Sequence, residues 1–105
     1  MTNSLAIFEG YQIRRHYDEK AEIWYFSVID TVAALTDSVN ARDYWFKMKS
    51  RVKSEDGIEL STICRQLKMK APDGKMRLTD CASVEGLLRI IQSIPSPKAE
   101  PFKRW

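Results

Sequence analysis

Apolar and polar positions alternate through the first part of the chain and then give way to a helical period. Leu5 to Phe8 is a short apolar run closed by Glu9-Gly10, the pattern of a strand and a turn. Tyr11 to Tyr17 alternates, with Tyr11, Ile13, Arg15 and Tyr17 on one side and Gln12, Arg14 and His16 on the other. Asp18-Glu19-Lys20 is a polar turn, and Glu22 to Val28 is rich in aromatic and β-branched residues that suit a pleated surface. These segments predict a small antiparallel sheet. Asp30 then opens a different pattern. Val32, Ala33, Ala34 and Leu35 fit a short helix with Asp30 as its N-cap, and the composition of residues 36–40 is that of a turn. Asn40 can cap a second helix from Ala41 to about Lys53, which gives the outline of a helix-turn-helix.

On a wheel of about 100° per residue, Tyr44, Trp45, Met48 and Val52 form the buried stripe of that second helix. Arg42, Phe46, Lys49 and Lys53 form an adjacent face, and Lys47 and Arg51 share the other flank. Glu55-Asp56-Gly57 ends the unit. Leu60 to Met69 reads as a strand, Ala71-Pro72-Asp73-Gly74 as a turn, and Met76 to Thr79 as the returning strand of a hairpin. From Ala82 or Ser83 the helical period returns, with Val84, Leu87, Leu88, Ile91 and Ile94 as a core-facing stripe stopped by Pro95. Ser96-Pro97 can start one more helix through Phe102 and Trp105. The pattern breaks off at Trp105, which leads to the expectation of an amino-terminal piece of a longer protein.

Composition narrows the class. The chain has 105 residues, 44% of them hydrophobic, with only 4 Gly and 4 Pro, so one globular domain of residues 1–105 is expected and disorder is not. No apolar run approaches the roughly 18 residues of a transmembrane helix, and Met1-Thr2-Asn3-Ser4 has no basic leader pattern, so a cytoplasmic protein is expected. Cys64 and Cys81 do not form a disulfide framework and are expected to be buried, reduced thiols.

The net charge of +3 conceals an uneven distribution: −3 over residues 1–40, +5 over 41–79 and +1 over 80–105. The basic middle suggests a polyanionic partner, although a solvated lysine-rich surface has the same appearance in sequence. Enzyme signatures are mostly absent. The single histidine, His16, lacks a second ligand at metal-binding spacing, the cysteines form no CxxC, and no P-loop, GxGxxG or GxSxG occurs. No catalytic residue, metal or cofactor is therefore expected. Trp24, Tyr25 and Phe26 could stack on bases, but strand aromatics more often serve the core.

A cationic helix beside a basic hairpin can neutralise phosphates and release counterions. Asn40 and Arg42 lie at the helix end that reads bases in helix-turn-helix proteins. The candidate nucleic-acid-binding residues are thus Asn40, Arg42, Lys47, Lys49, Arg51 and Lys53 on the helix, and Arg65, Lys68, Lys70, Lys75 and Arg77 on the hairpin. About six phosphate contacts would give a log–log salt slope of roughly −5.

Several blocks carry a family resemblance: WYFSVIDTVAALT at 24–36, NARDYW at 40–45, CRQLK at 64–68, APDGK at 71–75, LTD at 78–80 and EGLLRIIQSIPSPKAEPF at 85–102. In this order and spacing they resemble the amino-terminal domain of the BRO family, over nearly the whole chain. The resemblance implies a DNA-binding domain of bacteria, prophages and large DNA viruses, often a phage antirepressor, with a DNA-damage-inducible protein among bacterial relatives. It transfers no catalytic residues. The expectation is an α+β domain, a small antiparallel sheet and a hairpin packed on helices, that binds double-stranded DNA as part of a prophage antirepressor-like regulator. The alternative is a protein-interaction module that binds a phage repressor or a DNA-repair protein without touching DNA, through Phe46, Phe102 or Trp105.

Overall fold

A computed structural model describes residues 5–8, 11–95 and 97–100. Strands β1 (Leu5–Phe8), β2 (Tyr11–Asp18) and β3 (Ile23–Ser27) follow the alternation of the sequence and pair antiparallel in chain order. The Asp18 carboxylate closes the β2–β3 turn by accepting the backbone N–H groups of Lys20 and Ala21 at 3.0 and 3.1 Å. Strands β4 (Arg65–Lys70) and β5 (Met76–Ala82) form the expected hairpin, but β5 runs on past Thr79 and its end pairs with β3, Phe26 opposite Ala82 and Ser27 opposite Cys81. Sheet and hairpin are therefore one five-stranded antiparallel sheet in the order β1-β2-β3-β5-β4. With its helices this makes an α+β fold.

Two further boundaries and the buried face of one helix differ from the sequence reading, each for a local reason. Helix α1 (Val28–Thr36) starts earlier, because Ser27 and not Asp30 is the N-cap: its Oγ accepts the Asp30 N–H at 3.2 Å. Val28 and Ile29 look like strand residues, yet they form the first turn of this helix. Residues Leu60–Ile63 form a 3-10 turn rather than the start of a strand. There the Thr62 N–H and Oγ1 both donate to the Glu59 carbonyl, at 3.1 and 2.7 Å, a local arrangement that competes with a sheet ladder. Helix α3 (Val84–Ile91), capped by the Ser83 hydroxyl, is rolled by about 70° from the predicted stripe. It buries Gly86, Leu87, Ile90 and Ile91, while Val84 is 54% exposed. The roll follows from Gly86, whose missing side chain lets α3 close on the 3-10 turn; a Cβ there would lie 2.8 Å from Ile63 Cγ2 and 3.2 Å from Ala82 Cβ.

Helix α2 (Ala41–Asp56) matches its prediction at the start, where Asn40 Oδ1 accepts the Asp43 N–H at 3.1 Å. It ends at Gly57, whose φ of 69° is left-handed and whose N–H caps the Lys53 carbonyl. Trp45, Met48 and Val52 are buried as expected, with Tyr44 packed at the edge of the core. The core joins these to Val28, Val32 and Leu35 of α1 and to Leu87, Ile90 and Ile91 of α3, with Ile94 and Ala99 closing the far end. Pro97–Ala99 is a short 3-10 turn. Ser96 and residues 101–105, including the predicted helix positions Phe102 and Trp105, lie outside the described residues. Among the described residues no helix is long and apolar enough to cross a membrane.

Candidate nucleic-acid interface

Strand β3 ends where α1 begins, so the first half of β2 and the outer half of the β4–β5 hairpin have no strand between them. The gap is a groove of about 720 Å³ whose walls include Arg15 and His16 from β2 and Lys68 and Lys70 from β4. Arg14 spans its floor. The Arg14 guanidinium donates to both Asp30 carboxylate oxygens, at 2.7 and 2.9 Å, and its backbone N–H donates to Oδ2 at 2.9 Å. Its Nη1 reaches the Lys70 carbonyl at 3.1 Å and its Nη2 the Ser27 hydroxyl at 3.4 Å. One side chain thus ties β2, the start of α1 and the hairpin together. The hydrogen bond to Asp30 holds the Arg14 guanidinium still more firmly protonated than usual. Sequence reasoning misses this pair, because Asp30 has the pattern of a helix cap and nothing local links it to Arg14.

A second anchor joins the hairpin to α2. Asp80 on β5 accepts from Trp45 Nε1 at 2.8 Å, Gln66 Nε2 at 3.2 Å and Lys49 Nζ at 3.4 Å. Partial burial opposes its ionisation, but the bonds from Trp45 and Gln66 and the Lys49 charge outweigh this and hold the carboxyl below its usual range. The hub explains why Lys49 is only partly exposed. Beside it, a smaller concavity of about 370 Å³ is lined by Arg42, Phe46 and Lys49 of α2 and by Pro72, Arg77 and Leu78 of the hairpin. Arg14, Asp30, Ala71 and Pro72 border both concavities.

The basic residues singled out in the sequence divide by their partners. Lys47 pairs with Asp43 at 3.0 Å, Lys49 with Asp80, Lys53 with Glu59 at 3.1 Å, Arg65 with Asp18 at 2.8 Å, and Arg77 with Asp73. Arg51 donates to the Ser93 carbonyl at 2.8 Å. The Asn40 side-chain oxygen is engaged as the helix cap. Arg42, Lys68, Lys70 and Lys75 have exposed side chains and no ion-pair partner among the described residues. Geometry separates the groups further. Arg42 and Lys49 face the hairpin, whereas Asn40, Lys47 and Arg51 line a different concavity beside Val39 and Tyr44.

The strand aromatics are covered rather than open. Phe26 packs on the core, the Arg15 guanidinium lies 4.3 Å from the centre of the Trp24 ring, and Arg65 lies 5.4 Å from that of Tyr25. Trp24 also meets Tyr17, with ring centres 5.1 Å apart. His16 is exposed on β2. Cys64 and Cys81 are free thiols; burial pushes the first up to about 12 and the second up to about 11.

Comparison with known proteins adds the family. No curated protein and no solved structure matches the chain. The model of the BRO family, N-terminal domain, matches residues 12–105, from β2 through both concavities to the end. The chain therefore belongs to the BRO family, and the groove, the hairpin and α2 are parts of its N-terminal domain.

Proposed function

We propose that this domain binds double-stranded DNA through the β4–β5 hairpin and the start of α2, as the DNA-binding part of a prophage antirepressor-like regulator. The observation that carries the reading is the placing of uncompensated charge. Lys68, Lys70 and Lys75 stand on the hairpin and Arg42 faces it, each without a carboxylate partner among the described residues. Lys47, Lys49, Lys53, Arg65 and Arg77 keep a carboxylate beside them, which would repel a phosphate, and Arg51 is held by the Ser93 carbonyl. Family membership supports the reading, since domains of this family generally bind DNA in phage-type regulators. In this reading α2 contributes Arg42 and positions the hairpin through Trp45, Lys49 and Asp80, while the hairpin makes most of the phosphate contacts.

A titration of labelled duplex DNA at several salt concentrations tests this. Four phosphate contacts give a log–log slope of about −4, shallower than the −5 that six contacts would give. Replacing Lys68, Lys70 and Lys75 by Ala should reduce the slope to about −1 and weaken binding strongly at low salt. Replacing Lys47 and Arg51 by Ala should leave the slope unchanged. Equal losses from the two sets would refute the assignment to the hairpin, and salt-independent binding would refute phosphate recognition altogether.

A second reading is favoured by one observation: Phe46 on α2 is 65% exposed beside Leu78. A repressor or a DNA-repair protein could use it as an apolar anchor. Phe46→Ala would then abolish that association while sparing DNA binding.

A further inference from the structure

The hairpin carries more than charge. In its register Lys68 stands opposite Leu78 and Lys70 opposite Met76, and residues paired across a ladder project to the same face. The next rung inward is Gln66 with Asp80, the pair fastened to Trp45 and Lys49. One end of this face is therefore anchored to α2. Its outer two rungs are exposed, and each sets an apolar side chain beside a lysine that has no carboxylate partner among the described residues. Leu78 and Met76 are each 60% exposed, an uncommon display for two large apolar residues on adjacent rungs.

We propose that these two rungs enter the major groove of DNA, where Met76 and Leu78 pack against the 5-methyl groups of thymine while Lys68 and Lys70 hold the flanking phosphates. The inference rests on the DNA-binding reading and adds to it which groove is read and by which side chains. Groove size supports the choice. A two-stranded ribbon fits the major groove, about 12 Å wide, but not an undistorted minor groove of about 6 Å. Chemistry supports it as well. The thymine methyl is the one apolar feature on base edges, it lies in the major groove, and an exposed Leu or Met gains by covering it. Successive rungs on one face lie about 7 Å apart, close to two base-pair steps. Charge complementarity favours a polyanion as the occupant of this face. The two lysines form a row on the edge strand β4 and the apolar pair a row on β5, so one row can meet a phosphate wall while the other meets base edges.

The test isolates a single methyl group. Duplexes that the wild-type domain selects from a random-sequence pool are resynthesised with deoxyuridine in place of thymidine, which removes only the 5-methyl. The expected result is a three- to fivefold rise in Kd for each contacted methyl, about the value of one buried methyl group. In the Met76→Ala, Leu78→Ala double variant the two duplexes should bind alike. Because both side chains are exposed, the variant should keep the wild-type circular dichroism. If the wild-type domain binds thymidine and deoxyuridine duplexes equally, the ribbon does not read the major groove this way and the proposal fails. If the double variant discriminates as well as the wild type, other residues do the reading and it fails too. Absence of salt-dependent binding to any duplex would instead overturn the DNA-binding reading itself, so the two failures are distinguishable.

Discussion

Asp80 shows how one carboxylate can organise an interface it does not enter. It sits in the strand that carries Leu78 and Met76, and it receives Trp45, Gln66 and Lys49 at once. Its carboxyl holds its proton less tightly in the folded protein than in the unfolded chain. The sign of the pH effect follows. The stabilisation is complete above the unfolded carboxylate range and is lost as pH falls from about 4 through the lower folded value. Asp80→Asn should therefore lower stability by about 1 kcal/mol at pH 7, discounted for partial exposure, and flatten the acid limb below pH 4. Urea midpoints measured between pH 3 and pH 7 check this; a wild-type acid limb that the variant retains would show that Asp80 is not its source. The residue belongs to a short block of the family resemblance, Leu78-Thr79-Asp80, but no local pattern reveals what it holds.

At the scale of elements, α3 is placed by the absence of a side chain. Gly86 lets the helix close to within contact of Ile63 and Ala82, and the roll it permits exchanges Val84 for Ile90 in the core. Alanine would ordinarily favour a helix by about 1 kcal/mol over glycine. Here the added Cβ would collide with Ile63 Cγ2 at 2.8 Å, so Gly86→Ala should instead destabilise by about 1–3 kcal/mol. A raised denaturation midpoint would contradict the close packing. Helix α2 and the turn of the hairpin were legible because each has a recognisable end, Asn40 and Gly57 for α2 and Pro72-Asp73-Gly74 for the hairpin, whereas the far ends of β4 and β5 have no such mark. The start of α1 was not. Val28 and Ile29 have strand-forming side chains, and the Ser27 cap, the Asp30–Arg14 contact and the packing of Val28 in the core draw them into a helix.

For the whole molecule, the two thiols report on opening of the fold. Cys81 is fully buried between β3 and β4 and Cys64 packs on the main core, so neither is reactive as a thiolate near neutral pH. A disulfide reagent at pH 8 should modify Cys81 at a rate set by global unfolding, rising with urea along the equilibrium transition. Fast modification of Cys81 in the native protein would show that β5 opens separately from the rest of the sheet.

The linear chain determined the strands, the cap and stripe of α2, the hairpin turn and the concentration of positive charge in its middle, because each depends on neighbours within a few residues. It also contained the blocks that mark the BRO family. Tertiary structure decided which charges are free. Lys49 and Asp80, Arg65 and Asp18, and Lys53 and Glu59 are ion pairs that the sequence presents only as separate residues. It also joined hairpin to sheet through β3 and β5, and opened the groove where β3 stops. The physical reason is one of range. Periodicity and capping act along the backbone, whereas charge neutralisation and burial are settled only when distant segments meet.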